Sequence, residues 1–80
     1  MYFVYSLLCR DNTIYTGITT DLDRRVGEHN SSPLGAKYTR YRRPVKLIYQ
    51  KQFATRSEAL IEEARIKKLK RSDKLKLISK

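Results

Sequence analysis

The sequence predicts an α+β fold in the order β-β-α-β-α-α, a small three-stranded, mostly antiparallel sheet flanked by helices. Two strand-like segments come first, at 2–9 and 13–19, separated by a short turn signal. A third strand-like run lies at 45–50, directly after a proline. A capping box at 55–58 then precedes a segment that contains neither Gly nor Pro. The 80 residues are too few for two cores, so a single domain over 1–80 is expected.

The predicted hairpin brings two tyrosines and a glycine into register. Its first strand is apolar on both alternating faces, which is typical of a strand covered on both sides. Asn12 tolerates the positive φ that a tight turn requires. A three-residue loop at 10–12 pairs Tyr5 with Gly17 and places Tyr5 and Tyr15 on one face of the sheet. A two-residue loop places the tyrosines on opposite faces.

A first helix is predicted between the hairpin and the third strand. Thr20 is the expected cap, Asp21 and Asp23 lie in the first turn, and the helix ends near Asn30. The small, basic and aromatic residues that follow, up to Pro44, are expected to form an exposed loop with at most one helical turn.

Two more helices are predicted in the C-terminal part of the chain. The capping box begins a helix of about four turns that extends to Lys70, because this segment is rich in good helix formers. Ser72 restarts a short helix. Its inward-facing side chains are expected to be Leu75 and Ile78, or Leu77.

Arg25 and His29 are four residues apart on the first predicted helix, so their side chains emerge from one face. A guanidinium matches the geometry of a phosphate, and an imidazole transfers protons near neutral pH. The two side chains are therefore candidates to meet a single phosphate. A solvated arginine and a partly buried, hydrogen-bonded histidine explain the same spacing.

Tyr5, Tyr15 and Gly17 have a structural and a functional interpretation. Tyrosines are frequent in strands and often serve as core residues whose hydroxyl reaches water. Glycine weakens a strand interior and marks places where a ligand approaches the backbone. In the predicted register Gly17 clears space beside Tyr5 for a water molecule or a phosphate.

Glu63 projects from a helix face that is otherwise apolar, so its carboxylate needs a partner. Coordination of a metal ion or pairing with a cation satisfies this need. Helical periodicity does not separate Glu63 from Glu62, and an ion pair with Lys67, four residues on, is the simpler alternative.

The net charge of +10 is concentrated in the C-terminal half. Residues 1–40 carry five Lys/Arg against four Asp/Glu, whereas residues 41–80 carry thirteen against four. Such a surface attracts nucleic acid, although an anionic membrane surface or a merely solvated helix face is also compatible with it. The candidate nucleic-acid-binding residues are Lys37, Tyr38, Arg40, Arg42, Arg43 and Lys67.

Cysteine content and hydropathy indicate a cytoplasmic setting. Cys9 is the single cysteine, so the chain has no internal disulfide, and no Cys/His cluster has the spacing of a zinc site. The apolar start lacks the basic segment of a signal peptide, and no apolar run approaches the length of a membrane span.

Three motifs together resemble the GIY-YIG nuclease superfamily, in its small stand-alone bacterial form. The first motif corresponds to residues 3–5, Phe-Val-Tyr, and the second to residues 15–17, Tyr-Thr-Gly. Arg25 and His29 follow at the expected place, and Glu63 matches the metal-binding segment. The first motif lacks its glycine, and no asparagine follows Asn30, where several nucleases of the family use one after the metal-binding helix.

The resemblance implies a metal-dependent endonuclease that hydrolyses phosphodiester bonds in DNA, in repair or recombination. Glu63 then holds one Mg²⁺ or Mn²⁺ ion, and Tyr5 takes the proton of the attacking water directly or through a relay. Tyr15 orders the water and phosphate network, Arg25 offsets the charge of the transition state, and His29 lies near the nucleophile or the phosphate.

Two other functions remain compatible with the sequence. One is a non-catalytic, basic nucleic-acid-binding module on the same fold, and the other is an interaction domain whose basic helix docks an acidic protein. For the nuclease, DNA is expected as substrate in preference to RNA. The protein is expected to be a monomer without membrane association, and a partner protein could direct it to its target.

Overall fold

The computed structural model describes residues 1–31 and 37–76. Its elements are β1 (Tyr2–Leu8), β2 (Ile14–Thr19), α1 (Leu22–Ser31), α2 (Lys37–Arg40), β3 (Lys46–Phe53), α3 (Arg56–Lys67) and α4 (Arg71–Lys76). The predicted α+β class and order are confirmed, and α2 is the single helical turn within the predicted loop.

The sheet has the order β2-β1-β3, and both pairs of strands are antiparallel. Tyr5 pairs with Gly17 and Leu7 pairs with Tyr15, as the three-residue loop predicts. Asn12 has a φ of 67°, so the turn uses the left-handed conformation that asparagine tolerates. The hairpin register, and with it the placement of both tyrosines, is therefore confirmed.

The central strand β1 is buried on both faces and so separates two apolar clusters. One cluster lies between the sheet and α1, and its fully buried members are Tyr5, Leu7, Cys9 and Val45. The other lies between the sheet and α3, with Val4, Ala59 and Ile66 as its buried members. The result is a layered arrangement of α1, sheet and α3.

The cap of α1 differs from the prediction. Asp21, and not Thr20, caps the helix, since the backbone N–H of Arg24 donates to Asp21 Oδ1 at 3.2 Å. The cause is a local turn in which the backbone N–H of Asp21 donates to Thr19 Oγ1 at 3.1 Å. This turn moves the start of the helix one residue along the chain and leaves Thr20 exposed.

The capping box that begins α3 is confirmed, but the helix ends at Lys67 and not at Lys70. The backbone N–H of Leu69 donates to the carbonyl of Ile66 at 3.0 Å, a tighter bond that closes the last turn. The next helix, α4, consequently begins at Arg71, one residue before the predicted Ser72.

Two further differences concern β3 and the C-terminus. The third strand continues to Phe53, which pairs with Tyr2, and so extends beyond the predicted end at residue 50. The predicted inward packing of residues 75, 77 and 78 concerns side chains outside the part of the chain that the structure describes. Within 1–31 and 37–76, no helix has the length and apolar character needed to cross a membrane.

Candidate active site

An open cleft of about 550 Å³ runs from α1, across the edge strand β2, to α3. Five of the predicted site residues line it, namely Tyr5, Tyr15, Gly17, Arg25 and Glu63. The other lining residues include Arg24, Glu28, Arg56 and Leu60, which the sequence does not mark as site residues. The fold therefore brings residues from two strands and two helices to one surface.

Gly17 makes room for Tyr5 at the floor of the cleft. A Cβ atom on Gly17 would lie only 2.6 Å from Tyr5 Oη and 2.9 Å from Tyr5 Cζ. The ring of Tyr15 packs beside Tyr5, with 6.4 Å between ring centroids. Only glycine at position 17 therefore allows the Tyr5 hydroxyl to occupy its observed place.

The Tyr5 side chain is 1% exposed, and this burial raises the pKa of its phenol to about 12. A hydrogen bond from the Arg25 guanidinium acts in the opposite direction and favours the phenolate. The negative charge of Glu63, on the far wall of the cleft, disfavours the phenolate. The phenol is thus protonated at neutral pH, with a cation beside its oxygen.

Arg25 is half-buried and held by an ion pair with Glu28, whose carboxylate Oε1 accepts from Arg25 Nη1 at 2.9 Å. Burial acts to lower the pKa of Arg25, but the hydrogen bonds with Glu28 and Tyr5 outweigh it and the pKa is raised. The spacing of three residues within one helix is the sequence signal for this pair. Glu28 therefore fixes the direction in which the guanidinium points.

The structure separates the two adjacent glutamates that periodicity leaves equivalent. Glu63 lines the cleft, and its carboxylate lies 3.2 Å from Lys67 Nζ, so the simpler predicted ion pair is present. Glu62 is buried away from the cleft, where Tyr49 Oη donates to it at 2.8 Å and Arg65 donates through two nitrogens at 2.6 and 3.0 Å. The Arg65 hydrogen bond is the main reason that the pKa of Glu62 is lowered.

His29 is fully buried and lies behind Tyr5 instead of lining the cleft. Its Nε2 is 2.8 Å from Tyr5 Oη, and its Nδ1 is 2.7 Å from Thr39 Oγ1. Burial, reinforced by the charge of Arg25, lowers the pKa of His29 to about 4, so the ring is neutral at neutral pH. Of the two interpretations of His29 that the sequence leaves open, the buried, hydrogen-bonded one describes its surroundings, and its described link to the cleft is the Tyr5 hydroxyl.

The basic segment 37–43 makes more contacts with the rest of the protein than an exposed loop would make. The Tyr38 ring packs on Tyr15 at 5.7 Å between centroids, and the Arg42 guanidinium lies 4.1 Å from the Tyr38 ring centroid. Arg42 also forms an ion pair with Asp11 at 2.9 Å. Tyr38 and Arg42, predicted to bind nucleic acid, thus attach this segment to the hairpin.

Arg43 attaches the same segment to the end of α1. Its Nε donates to the carbonyl of His29 at 2.5 Å, and its Nη2 donates to the carbonyl of Glu28 at 3.1 Å. Asn30 adds a reciprocal pair of hydrogen bonds with the backbone of Val45, at 2.7 and 3.1 Å. These contacts explain why Thr39, in the middle of the predicted exposed loop, is fully buried.

The remaining predicted nucleic-acid-binding residues are more exposed. Lys37 and Arg40 lie on the surface of α2, and Lys67 is paired with Glu63. Two cations that the sequence analysis did not assign, Arg24 and Arg56, lie at opposite walls of the cleft. Arg56 directly follows the capping threonine of α3, a position that a search for runs of basic residues does not single out.

The donor set of the cleft fits a hydrated magnesium ion. Within residues 1–31 and 37–76, no cluster of three or more His, Cys, Asp or Glu side chains is arranged to enclose a metal ion. Mg²⁺ commonly binds through one or two carboxylates, several water molecules and the phosphates of a substrate. Glu63, the predicted metal ligand, presents such a carboxylate in an open, polar cleft.

The family model described as the GIY-YIG catalytic domain matches residues 1–76. The chain belongs to the GIY-YIG family. It is 49% identical over 78 residues to a UPF0213 protein of Staphylococcus saprophyticus, covering 98% of this chain and 94% of that protein. A UPF0213 protein of Syntrophus aciditrophicus is 50% identical over 76 residues, covering 95% of this chain and 87% of that protein.

Two solved solution structures share the fold. A UPF0213 protein of Bacillus halodurans is 45% identical with a TM-score of 0.62, covering 99% of this chain and 84% of that chain. A protein of E. faecalis is 52% identical with a TM-score of 0.63, covering 91% of this chain and 77% of that chain. The matched family model is of a nuclease-type catalytic domain, and these UPF0213 relatives are bacterial proteins.

Proposed function

We propose that this GIY-YIG protein is a divalent-metal-dependent endonuclease that hydrolyses phosphodiester bonds in DNA, in repair or recombination. It acts as a single-domain monomer in the cytoplasm. The observation that carries this proposal is the convergence of Tyr5, Arg25 and Glu63, from a strand and two helices, on one cleft beside Gly17. A phenol, a guanidinium and a carboxylate are the groups that metal-assisted hydrolysis of a phosphate requires.

Each side chain has a role that its surroundings support. Arg25, directed by Glu28, binds the scissile phosphate and offsets the charge that develops on it. As the water oxygen bonds to phosphorus, the bond from phosphorus to the oxygen of the departing nucleotide breaks, and that oxygen takes a proton from solvent. The proton of the attacking water passes to Tyr5 Oη, and the phenolic proton passes to His29 Nε2, 2.8 Å away. Tyr15 orders the water beside Tyr5.

Glu63 is the residue that would hold the metal ion. A bound Mg²⁺ or Mn²⁺ ion supplies positive charge that polarises the phosphate. Glu63 exchanges its ion pair with Lys67 for this role, which releases Lys67 to bind a phosphate of the substrate.

The charges around the cleft support a polynucleotide as substrate. Arg24 and Arg56 lie at its two walls, so a strand that places one phosphate at Arg25 passes cations on both sides. The net charge of +10 strengthens the attraction, and the affinity is expected to fall steeply as the salt concentration rises.

The proposal is tested by incubating the purified protein with single-stranded, duplex and branched DNA and with RNA, in the presence of Mg²⁺ or Mn²⁺. We expect cleavage of DNA that falls by about 10²- to 10³-fold in Glu63→Gln and in Tyr5→Phe, because each removes one group aimed at the reacting phosphate. Glu62→Gln is the matched control, since Glu62 is the adjacent carboxylate but points away from the cleft. It is expected to reduce stability and to leave the rate per folded molecule unchanged.

The Glu63–Lys67 ion pair favours one alternative, a nucleic-acid-binding module without turnover, because the carboxylate is already neutralised within the protein. That alternative predicts no cleavage, or cleavage that is equal in all variants and therefore due to contamination. It also predicts binding that depends on salt but is unaffected by Mg²⁺ and by Glu63→Gln. Such results would overturn the endonuclease proposal.

A further inference from the structure

A chain of three buried polar groups leads away from the floor of the cleft. The Tyr5 hydroxyl is 2.8 Å from His29 Nε2, and His29 Nδ1 is 2.7 Å from Thr39 Oγ1. The side chains of His29 and Thr39 are 0% exposed. The described hydrogen bonds thus engage both ring nitrogens of His29, and water has no access to the ring.

The direction of these hydrogen bonds follows from the partners of Tyr5. The Arg25 guanidinium lines the cleft together with Tyr5, and a guanidinium has no acceptor and so cannot receive the phenolic hydrogen. Among the described hydrogen bonds of Tyr5 Oη, His29 Nε2 is the group that can accept the phenolic hydrogen, and this nitrogen is therefore assigned the lone pair. A neutral imidazole with an unprotonated Nε2 is protonated at Nδ1, so His29 donates from Nδ1 to Thr39 Oγ1.

The fold holds Thr39 in place for this contact. The Thr39 carbonyl accepts from the backbone N–H of Arg42 at 3.0 Å, and Arg42 is tied to Asp11 in the hairpin turn. Arg43 binds the carbonyl of His29 itself at 2.5 Å. The basic segment that the sequence presents as a nucleic-acid-binding loop therefore fixes the position of a buried hydroxyl.

We infer that Thr39 is a positioning residue whose hydroxyl keeps His29 in the Nδ1–H tautomer, leaving Nε2 to receive the hydroxyl hydrogen of Tyr5. The lone pairs of Tyr5 Oη then face Arg25 and the cleft, where the proton of the attacking water arrives. This inference deepens the proposed endonuclease function and rests on it. If His29 adopted the Nε2–H tautomer, its N–H would occupy a Tyr5 lone pair and turn the phenolic hydrogen toward the cleft.

The first test measures the tautomer and needs no activity. His29 is the only histidine of the chain, so ¹⁵N-labelled, untagged protein gives a single set of imidazole correlations that identify the protonated nitrogen. At neutral pH we expect Nδ1–H in the wild type and in Thr39→Ser, which keeps the hydroxyl. In Thr39→Val the ratio of the two tautomers shifts toward Nε2–H by about tenfold, the equivalent of one lost hydrogen bond.

Thr16→Val is the matched control. It also removes a buried threonine hydroxyl, but one that pairs with Ser6 at 3.0 Å and not with His29. Its imidazole spectrum is expected to match that of the wild type. The Nε2–H tautomer in the wild type, or an unchanged Nδ1–H tautomer in folded Thr39→Val, would overturn the inference.

The second test uses the rate of cleavage. Thr39→Val is expected to reduce kcat by about 10- to 100-fold with little change in KM, and Thr39→Ser is expected to restore it, as is typical of residues that orient a catalytic group. A wild-type rate in Thr39→Val, together with a shifted tautomer, would refute the catalytic part of the inference. Failure of the endonuclease proposal would look different: neither the wild type nor any variant would cleave DNA, while the imidazole spectra would still be as expected.

Discussion

Substitution of Gly17 by alanine tests the central contact of the site. The new Cβ lies 2.6 Å from Tyr5 Oη, 2.9 Å from Tyr5 Cζ and 3.3 Å from Tyr15 Cε2. Ordinary contact begins at about 3.4 Å, so Oη must move by about 0.8 Å, the difference between 3.4 and 2.6 Å. Tyr5 is 1% exposed and hydrogen-bonded to His29 at 2.8 Å, so the ring has little space in which to move.

Three contributions determine the free-energy cost of the substitution. Overpacking of a filled core costs about 1–3 kcal/mol, and weakening the Tyr5–His29 hydrogen bond costs about 1 kcal/mol. Alanine in a strand recovers about 0.5–1 kcal/mol of chain entropy relative to glycine. We therefore expect a free energy of unfolding about 2 kcal/mol lower in Gly17→Ala, together with the loss of DNA cleavage.

Gly27 provides the matched control, because it lies in α1 and nothing stands within 4 Å of an added Cβ. Gly27→Ala is expected to raise the free energy of unfolding by up to about 1 kcal/mol through helix propensity alone. Urea unfolding followed by circular dichroism measures the free energy of unfolding of both variants, and the two values should differ by about 3 kcal/mol. If Gly17→Ala were as stable as Gly27→Ala, with the imidazole spectrum of His29 unchanged, the packing argument would be wrong.

Acid is expected to destabilise the protein through His29. The pKa of His29 is about 4 in the folded protein, against an ordinary value of 6.5. Between these values the unfolded state binds more protons than the folded state, so the free energy of unfolding falls as the pH is lowered through this window. Between pH 7.5 and pH 5 the free energy of unfolding is expected to fall by about 2 kcal/mol. A free energy of unfolding that stays constant over this range would contradict the burial of a neutral His29. Thr55→Ala removes the cap of α3, where the backbone N–H of Glu58 donates to Thr55 Oγ1 at 3.2 Å, and should cost about 1 kcal/mol in urea unfolding. Thr20→Ala, at the exposed position where the cap of α1 was predicted, should stay within about 0.5 kcal/mol of the wild type, and equal losses in the two variants would contradict the assignment of the caps.

Local chemistry made the hairpin predictable. The length of the turn and the positive φ of Asn12 determine which residues pair across the strands, so Tyr5 and Gly17 were placed opposite each other from the sequence. The capping box of α3 is likewise contained in four consecutive residues. These two local features were correctly predicted, whereas the equally local cap of α1 was assigned to Thr20 instead of Asp21 because the turn at Thr19 was not foreseen.

Features that depend on distant partners were not predictable. Periodicity did not separate Glu62 from Glu63, and only the family resemblance pointed to Glu63, because the choice depends on how α3 packs on the sheet, where Tyr49 of β3 binds Glu62. The role of Arg43 depends on backbone carbonyls at the end of α1, and a carbonyl acceptor leaves no mark in the sequence. Thr39 became visible as a partner of His29 only in the folded chain.

The burial of Tyr5 in the core has a consequence for comparing active and inactive members of the family. Tyr5 belongs to a packed cluster with Leu7 and Cys9, so a protein that lost catalysis would still need this ring to fold. Glu63 lies at the edge of an open cleft, and its ion pair with a lysine contributes little to stability. Under the proposed function, a glutamate at this position is therefore expected to be a better marker of cleavage activity among relatives than the tyrosine of the first motif.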